Sequence, residues 1–230
     1  MSRTEDRGDA AAVVHRSSGP TARVTYSVAG TVLRIFARTY WRLEVRYPER
    51  LPDSGGFVIA PVHRSNIDFL LPALITRRKI RWMAKDTIFV GGRASRMLWM
   101  FGAYPVHRDG IDRASVRTTL ALLASGQPVV MFPEGRRKEG PRILDPFHGP
   151  AFAACRERVP IVPIGIGGSD RAMPIGAKFV RPRKVTLVIG EPIYPDVALA
   201  GRVPRSTVNA LTSELVDELQ KLYDESQSSR

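Results

Sequence analysis

The chain has 230 residues, of which 43% are hydrophobic and 25% are charged, and this composition is typical of a globular protein rather than a disordered one. Its single cysteine, Cys155, excludes an intramolecular disulfide framework and any zinc site built from several thiolates. The 35 Lys plus Arg against 22 Asp plus Glu give a formal charge of +13, which favours a polyanionic partner: nucleic acid, anionic lipid headgroups or phosphorylated small molecules.

Apolar periodicity divides the chain into alternating helices and strands. We predict a disordered tail over 1–22 without a secretory leader, and one α/β domain over 23–225 whose mixed, largely parallel sheet is flanked by helices. The predicted elements, in chain order, are a helix over 23–40, strands over 41–46 and 57–61, a helix over 67–77 that Pro72 limits or kinks, a strand over 80–85, a helix over 93–102, a strand over 104–106, a helix over 113–126, a strand over 128–132, a helix over 146–158, strands over 161–167 and 184–190, and a terminal helix over about 206–223.

The first predicted helix, 23–40, is amphipathic. Apolar residues recur at helical spacing, and Arg23, Arg34 and Arg38 interrupt them. Such a helix either covers the core or lies in a membrane interface, with its arginines on anionic headgroups. A membrane-spanning helix needs about 20 mostly apolar residues in a row, and the sequence contains no such run. We therefore expect this chain not to span a membrane.

A histidine and a carboxylate follow the predicted strand 57–61. His63 and Asp68 lie within the run HRSNID, at the carboxyl end of a strand, where functional groups gather in open α/β sheets. A carboxylate at this spacing can fold back onto the imidazole, fix its tautomer and stabilise the imidazolium. Because no G-x-S-x-G elbow or suitable cysteine is nearby, the pair suggests activation of a hydroxyl on the substrate. The alternative is that Ser65, Asn66 or Asp68 caps the next helix.

Positive charge follows the other predicted strands. Arginine presents a planar fork that suits phosphate oxygens, and Glu134 can hold a neighbouring arginine or backbone amide in position. If these strands are parallel, their ends form a phosphate-binding cleft beside the proton acceptor; the alternative for the loop after 128–132 is a solvated basic loop. The cations at these strand ends are Lys85, Arg108, Arg136, Arg137 and Lys138.

Four short blocks occur in a fixed order along the chain. They are H-x-x-x-x-D at 63–68, G-x-x-x-x-x-R at 102–108, F-P-E-G at 132–135 and V-P-I at 162–164. Together they resemble the blocks of the glycerolipid acyltransferases, the PlsC-like lysophosphatidic acid acyltransferase family, over about residues 55–195. The resemblance implies an α/β fold like that of glycerol-3-phosphate acyltransferase.

The resemblance also implies a reaction. A fatty acyl group would pass from acyl-CoA or acyl carrier protein to the free hydroxyl of lysophosphatidic acid, in phospholipid biosynthesis. His63 would be the general base, Asp68 would orient it, no acyl-enzyme would form, and Pro163 would shape the acyl-donor side. The residues that the resemblance assigns to the acceptor phosphate are Lys85, Gly102, Arg108, Glu134, Gly135, Arg136 and Arg137.

Two positions depart from the family pattern: Arg136 stands where a small hydroxyl residue is usual, and His107 where Asp is frequent. The acceptor therefore stays open among lysophosphatidic acid, glycerol-3-phosphate, another lysophospholipid, and a phosphoinositide or glycolipid. We expect no cofactor and no metal, since no pair of His or Cys residues has ligand spacing. We also expect a cytoplasmic protein held peripherally on the anionic inner face of the cell membrane. The sequence leaves the oligomeric state open.

The charge of +13 also fits a different class, a basic nucleic-acid-binding protein. Such a protein typically shows aromatic and basic residues interleaved on a sheet, or a helix-turn-helix. Neither pattern is evident, so we expect no specific binding of nucleic acid.

Overall fold

Seven strands form one sheet in the computed structural model, which describes residues 13–14, 19–89, 92–106, 112–197 and 202–228. They pair in the order β1-β7-β6-β2-β5-β3-β4, in parallel except for the antiparallel β6 and β7. This mixed, largely parallel sheet confirms the predicted α/β class. The strands are β1 (Glu44–Arg46), β2 (Phe57–Pro61), β3 (Arg81–Lys85), β4 (Ala103–Val106), β5 (Pro128–Val130), β6 (Ile161–Gly167) and β7 (Thr186–Ile189).

Helices cover both faces of the sheet. One hydrophobic core lies under α4, α5 and α7, and the other lies under α1 and α2 on the opposite face. The central strands β2 and β6 are fully buried, as strands that are covered on both faces must be. The helices are α1 (Pro20–Tyr40), α2 (Pro72–Ile75), α3 (Gly92–Met100), α4 (Arg113–Ala124), α5 (Gly149–Glu157), α6 (Ser169–Ala172) and α7 (Arg205–Gln227).

The first long helix, α1, begins at Pro20 rather than at residue 23. Proline suits this position because it lacks the N–H that a first helical turn leaves unpaired. Residues 1–12 and 15–18 of the predicted tail lie outside the described residues, but Val13 is fully buried in the core. Gly19 and Pro20, directly before and at the start of α1, are exposed. None of the helices in the described ranges combines the length and the apolarity needed to cross a membrane.

Pro72 divides the helix predicted over 67–77. A short 3₁₀ helix covers Asn66–Phe69, and α2 then starts at Pro72 itself. Proline has no N–H to continue a helix but fits its first turn. The predicted interruption at Pro72 is therefore confirmed, and it leaves the residues around Asp68 in a tight turn.

The terminal helix α7 packs closely on β6 at Gly165. A Cβ added there would lie 2.3 Å from the carbonyl oxygen of Leu222. We expect Gly165→Ala to lower the free energy of unfolding by about 1–3 kcal/mol, because helix and strand must move apart. Denaturant unfolding measures this loss. Gly30→Ala in α1 is the control, since its Cβ would meet only the flexible Arg34 side chain at 3.6 Å. Equal stability of the two variants would contradict this account.

Candidate active site

The loops after β2 and β5 leave the same edge of the sheet. β2 pairs in parallel with both β5 and β6, so the three strands end on one side of the molecule. His63 follows β2, and Glu134 follows β5. The predicted gathering of these two blocks at one sheet edge is therefore what the fold produces.

His63 and Asp68 form a hydrogen-bonded pair. Nδ1 of His63 lies 3.1 Å from Oδ2 of Asp68. The Asp68 carboxylate is fully buried, whereas the His63 side chain is 16% exposed. Because an ionised carboxylate only accepts hydrogen bonds, Nδ1–H is the donor and the lone pair lies on Nε2. The imidazole is thus oriented to accept a proton at Nε2.

Asp68 also closes the turn that precedes the 3₁₀ helix Asn66–Phe69. Its Oδ2 accepts hydrogen bonds from the backbone N–H groups of Arg64 and Ser65, both at 2.6 Å. Capping and orientation of the histidine, which the sequence presents as alternatives, are therefore both carried by one carboxylate. Two backbone donors besides His63 hold Asp68 in place, so the imidazole rests on a rigid support.

Arg64, next to His63, forms a buried ion pair with Glu134. Nη1 of Arg64 lies 2.5 Å from Oε2 of Glu134, and the two side chains are 2% and 1% exposed. Glu134 also accepts hydrogen bonds from the backbone N–H groups of His63 and Leu144, both at 3.4 Å. Glu134 thus holds an arginine and two amides, which is the positioning role that its loop predicts.

The other nitrogens and the face of the Arg64 guanidinium contact two further segments, the 134–142 loop and α7. Its Nε and Nη2 donate to the carbonyl oxygens of Gly140 and Arg142, at 3.2 and 2.8 Å. It also lies over the ring of Tyr223 in α7, 5.1 Å from the centroid. Burial raises the pKa of the Tyr223 phenol, so the ring beneath the guanidinium is neutral. Arg64 therefore ties the histidine loop to the 134–142 loop and to α7.

The His63 ring itself is held against Phe132. The two rings stack with centroids 4.0 Å apart. The backbone N–H of Lys138 donates to the carbonyl oxygen of His63 at 3.0 Å. One face of the imidazole is thus covered, and its orientation is fixed from both the β2 and the β5 loops.

An apolar groove of about 920 Å³ reaches the 3₁₀ helix that follows His63. Phe69 and Leu70, which directly follow Asp68, form one wall, and the Phe69 ring lies 5.3 Å from that of Trp82 in β3. A concave surface of this size with an almost wholly apolar lining suits a hydrocarbon chain. The other lining residues include Val28, Val32 and Phe36 of α1, Met97 of α3, and Phe101, which follows α3.

Residues 42–167, which include the His63–Asp68 pair and Glu134, match the family model of the acyltransferases. This chain belongs to the acyltransferase family. The resemblance that the four sequence blocks indicate is thereby confirmed, as is the assignment of the chain to the enzymes that transfer acyl groups.

Known relatives carry the same activity in their names. The chain is 27% identical to the 1-acyl-sn-glycerol-3-phosphate acyltransferase of Bacillus subtilis, over 86% of this chain and 96% of that protein. It is 26% identical to the beta form of that enzyme from Homo sapiens, over 77% of this chain and 66% of that protein. The crystal structure of the LPA acyltransferase PlsC from Thermotoga maritima matches with a TM-score of 0.69, covering 95% of this chain and 88% of that chain. At 21% identity, this likeness shows a shared fold.

The predicted phosphate-binding cations of this acyltransferase lie at the His63 edge where the structure describes them. Arg136 is exposed and Arg137 half-buried in the loop after β5. Lys85 is exposed at the carboxyl end of β3, which is parallel to β5. Arg108 lies outside the described residues.

Gly102 does not join that set, contrary to the prediction. It precedes β4, so it lies at the opposite edge of the sheet from His63. Its φ is +87°, and an added Cβ would lie 2.5 Å from the carbonyl oxygen of Ile80. The buried Arg81 side chain lies beside it, and burial lowers the pKa of Arg81 to about 10. Gly102 is needed for a left-handed turn and a close backbone contact.

Glu134 and Gly135 also fit the predicted set only indirectly. The Glu134 carboxylate is buried, negatively charged and paired with Arg64, so it holds the loop and does not meet a phosphate. Gly135 has φ +65°, and an added Cβ would lie 2.6 Å from the Phe147 ring. The glycine thus permits the turn that presents Arg136 and Arg137.

Pro163, predicted on the acyl-donor side, is buried within β6. It pairs with Ala60 of β2, and its carbonyl oxygen accepts a hydrogen bond from the Gly190 N–H at 2.9 Å. Any effect of Pro163 on a bound donor therefore passes through the packing of the strand.

Three features of the site are missing from the sequence prediction: the burial of Arg64, the stacking of Phe132 on His63, and the apolar groove lined by Phe69. Arg64 is charged, so the sequence pattern predicts an exposed side chain, and its partner Glu134 lies 70 residues away in the chain. The stacking of Phe132 could have been suspected from the sequence, because this aromatic residue opens the F-P-E-G block at the end of a predicted strand.

Within the described ranges, no three His, Cys, Asp or Glu side chains come together as a possible metal site.

Proposed function

We propose that this acyltransferase transfers a fatty acyl group from acyl-CoA or acyl carrier protein to the free hydroxyl of lysophosphatidic acid, in phospholipid biosynthesis. The observation that carries the proposal is the His63–Asp68 pair, with Nδ1 and Oδ2 3.1 Å apart, together with an apolar groove lined by Phe69, the next residue in the chain. The names of the Bacillus subtilis and Homo sapiens relatives support this choice of acceptor.

In this proposal, Nε2 of His63 removes the proton from the acceptor hydroxyl as its oxygen attacks the thioester carbonyl. The C–S bond then breaks, and the departing thiolate takes the proton from the imidazolium. Asp68 stabilises the imidazolium between these steps, since its buried carboxylate faces Nδ1–H. No acyl-enzyme is formed, and neither a metal nor a cofactor takes part.

The acceptor phosphate is proposed to bind the cations at the same sheet edge, namely Lys85, Arg108, Arg136 and Arg137. Arginine forks can bind two phosphate oxygens at once. The exposure of Arg136 supports this assignment, because an exposed arginine can meet a headgroup.

The hydrocarbon chains are proposed to come from a membrane, and the protein to lie peripherally on the anionic inner face of the cell membrane. Three valines on α1, Val24, Val28 and Val32, are each more than half exposed at the rim of the groove. Exposed aliphatic side chains beside arginines are typical of helices that lie in a membrane interface.

Turnover of a panel of acceptors tests the proposed function. The purified chain is incubated with acyl-CoA or acyl carrier protein and, separately, lysophosphatidic acid, glycerol-3-phosphate, lysophosphatidylglycerol or a lysophosphoinositide, and lipid products are resolved by mass spectrometry. We expect kcat/KM to be highest for lysophosphatidic acid, and EDTA to leave it unchanged. A higher kcat/KM for another acceptor would reassign the substrate, and dependence on added metal would overturn the proposed mechanism.

A further inference from the structure

A loop that follows α6 presents an exposed phenylalanine. Residues 172–181, here called the Phe179 loop, connect α6 to the segment before β7. Phe179 is 82% exposed, the largest exposure among the large hydrophobic side chains of the described residues. Burying such a ring would be favourable, and nothing in the described part of the chain covers it.

The backbone of this loop is fastened at its base. The N–H of Arg181 donates to the carbonyl oxygen of Ala172 at 2.7 Å, and an inner turn joins Ala177 to Pro174 at 3.0 Å. The Tyr40 hydroxyl of α1 donates to the carbonyl oxygen of Val180 at 3.1 Å. Phe179 is therefore held outward by a closed loop rather than carried on a loose one.

Positive charge surrounds the loop. A concave pocket of about 520 Å³ at its base is lined by arginines and by one carboxylate, Asp170. Lys184 also lines it but is paired with Glu44 at 2.8 Å. Lys178 precedes Phe179 and is exposed. The arginines of the pocket are Arg42, Arg171, Arg181 and Arg183.

The loop lies on the same side of the molecule as the active site. It follows the carboxyl end of β6, which is parallel to β2, the strand that precedes His63. The Ser65 hydroxyl donates to the carbonyl oxygen of Met173 at 2.7 Å, so the histidine loop and the Phe179 loop are directly bonded. Whatever binds this loop therefore lies on the same side of the molecule as His63.

We propose that the Phe179 loop is a second membrane-contact element that acts together with α1. Phe179 inserts at the boundary between headgroups and acyl chains, and Arg181 and Arg183 bind the phosphates of anionic lipids. An apolar tip surrounded by cations matches the layering of such a bilayer surface. The inference rests on the proposed function in one respect, that the enzyme works at a lipid surface.

An anionic bilayer fits this surface better than a nucleic acid does. Cations alone would suit either partner. However, the Tyr40–Val180 hydrogen bond joins the loop to α1, and α1 exposes aliphatic side chains such as Val32 and Ile35. Aliphatic side chains gain little from stacked bases but are buried favourably among acyl chains.

Vesicle binding tests the inference. The full chain is sedimented with vesicles of phosphatidylcholine, with and without phosphatidylglycerol. We expect Phe179→Ser to weaken binding to the anionic vesicles about tenfold, from loss of one buried ring. We expect the double substitution Arg181→Ser with Arg183→Ser to weaken it about 30-fold. Because Phe179 is so exposed, its variant should keep the wild-type melting temperature, which excludes misfolding as the cause.

Matched controls come from the opposite sheet edge. Tyr194 is 70% exposed and follows Ile193, which bridges the first residue of β6. Arg205, the first residue of α7, and Arg202, which precedes it, are both exposed, and the other end of α7 lies against Gly167. Tyr194→Ser, and Arg202→Ser with Arg205→Ser, should therefore bind like wild type; a loss equal to that of the loop variants would show that only total charge or apolarity matters and would overturn the inference.

Other outcomes separate this inference from the proposed function. Wild-type binding by the Phe179 and Arg181/Arg183 variants would overturn the loop assignment even if lysophosphatidic acid is acylated. Vesicle binding that depends on Phe179, without any acyl transfer, would support the membrane-contact role of the loop and contradict the proposed reaction. Displacement of the protein from vesicles by a single-stranded oligonucleotide, but not by added salt of equal ionic strength, would favour nucleic acid and overturn the inference.

Discussion

His63→Ala is expected to lower kcat for acyl transfer by about 10³-fold, within the usual range for loss of a general base. The reason is that Nε2 belongs to the imidazole that Asp68 orients, and its removal leaves the hydroxyl to react unassisted. KM should change little, because the apolar groove is unaltered. The measurement is acceptor-dependent release of the CoA thiol, read with a thiol reagent.

Two further variants sharpen this result. Asp68→Asn keeps the size of the side chain but removes the negative charge that stabilises the imidazolium, and we expect a loss in kcat of about 10²-fold or more. His148→Gln is the matched histidine control, since Nδ1 of His148 lies 3.0 Å from the Thr212 hydroxyl of α7. If the His63 variant retained more than a tenth of the wild-type kcat, another group would be the base.

The sequence carries enough information to predict the α/β class and the first half of the site. Strand ends can be read from short apolar runs such as 57–61, and parallel strands bring their carboxyl ends to one edge. His63 and Asp68 are therefore found by position and by spacing. Because a carboxylate that folds back onto a histidine also meets the amides of the same turn, capping and orientation were never true alternatives.

The sequence does not reveal the relative direction of the strands or the distance between residues of one motif. The antiparallel pairing of β7 with β6 depends on how the whole chain returns, and no local pattern encodes it. Gly102 shows the second limit: a motif that starts with this glycine and ends with an arginine has a four-residue strand, β4, between them. At about 3.3 Å per residue, that strand carries the chain more than 10 Å from Gly102 by Val106, so the glycine and the chain that leaves β4 lie at opposite edges of the sheet.

The Arg64–Glu134 pair shows the third limit, because charge patterns are usually taken to mark the surface. Arg64 and Glu134 are both buried, and only the fold brings these distant positions together. Loss of one partner from such a pair leaves an uncompensated charge in the interior. We therefore expect Glu134→Gln to lower the free energy of unfolding by about 3–5 kcal/mol, measured by denaturant unfolding at constant m-value.

The ion pair Lys138–Asp145, whose carboxylate is exposed, provides the matched control for that prediction. Its atoms lie 2.9 Å apart, but the Asp145 side chain is 81% exposed, so Asp145→Asn should lower the free energy of unfolding far less than Glu134→Gln does. Changing both buried partners, with Arg64→Met and Glu134→Leu, should cost less than the sum of the single changes, since no lone charge remains. The carbonyl oxygens of Gly140 and Arg142 would still lose their donor, so recovery should be incomplete. Were Glu134→Gln as stable as Asp145→Asn, the ion pair would not be what fixes the His63 loop, and the orientation of the imidazole would have to rest on Asp68, Phe132 and the Lys138 amide.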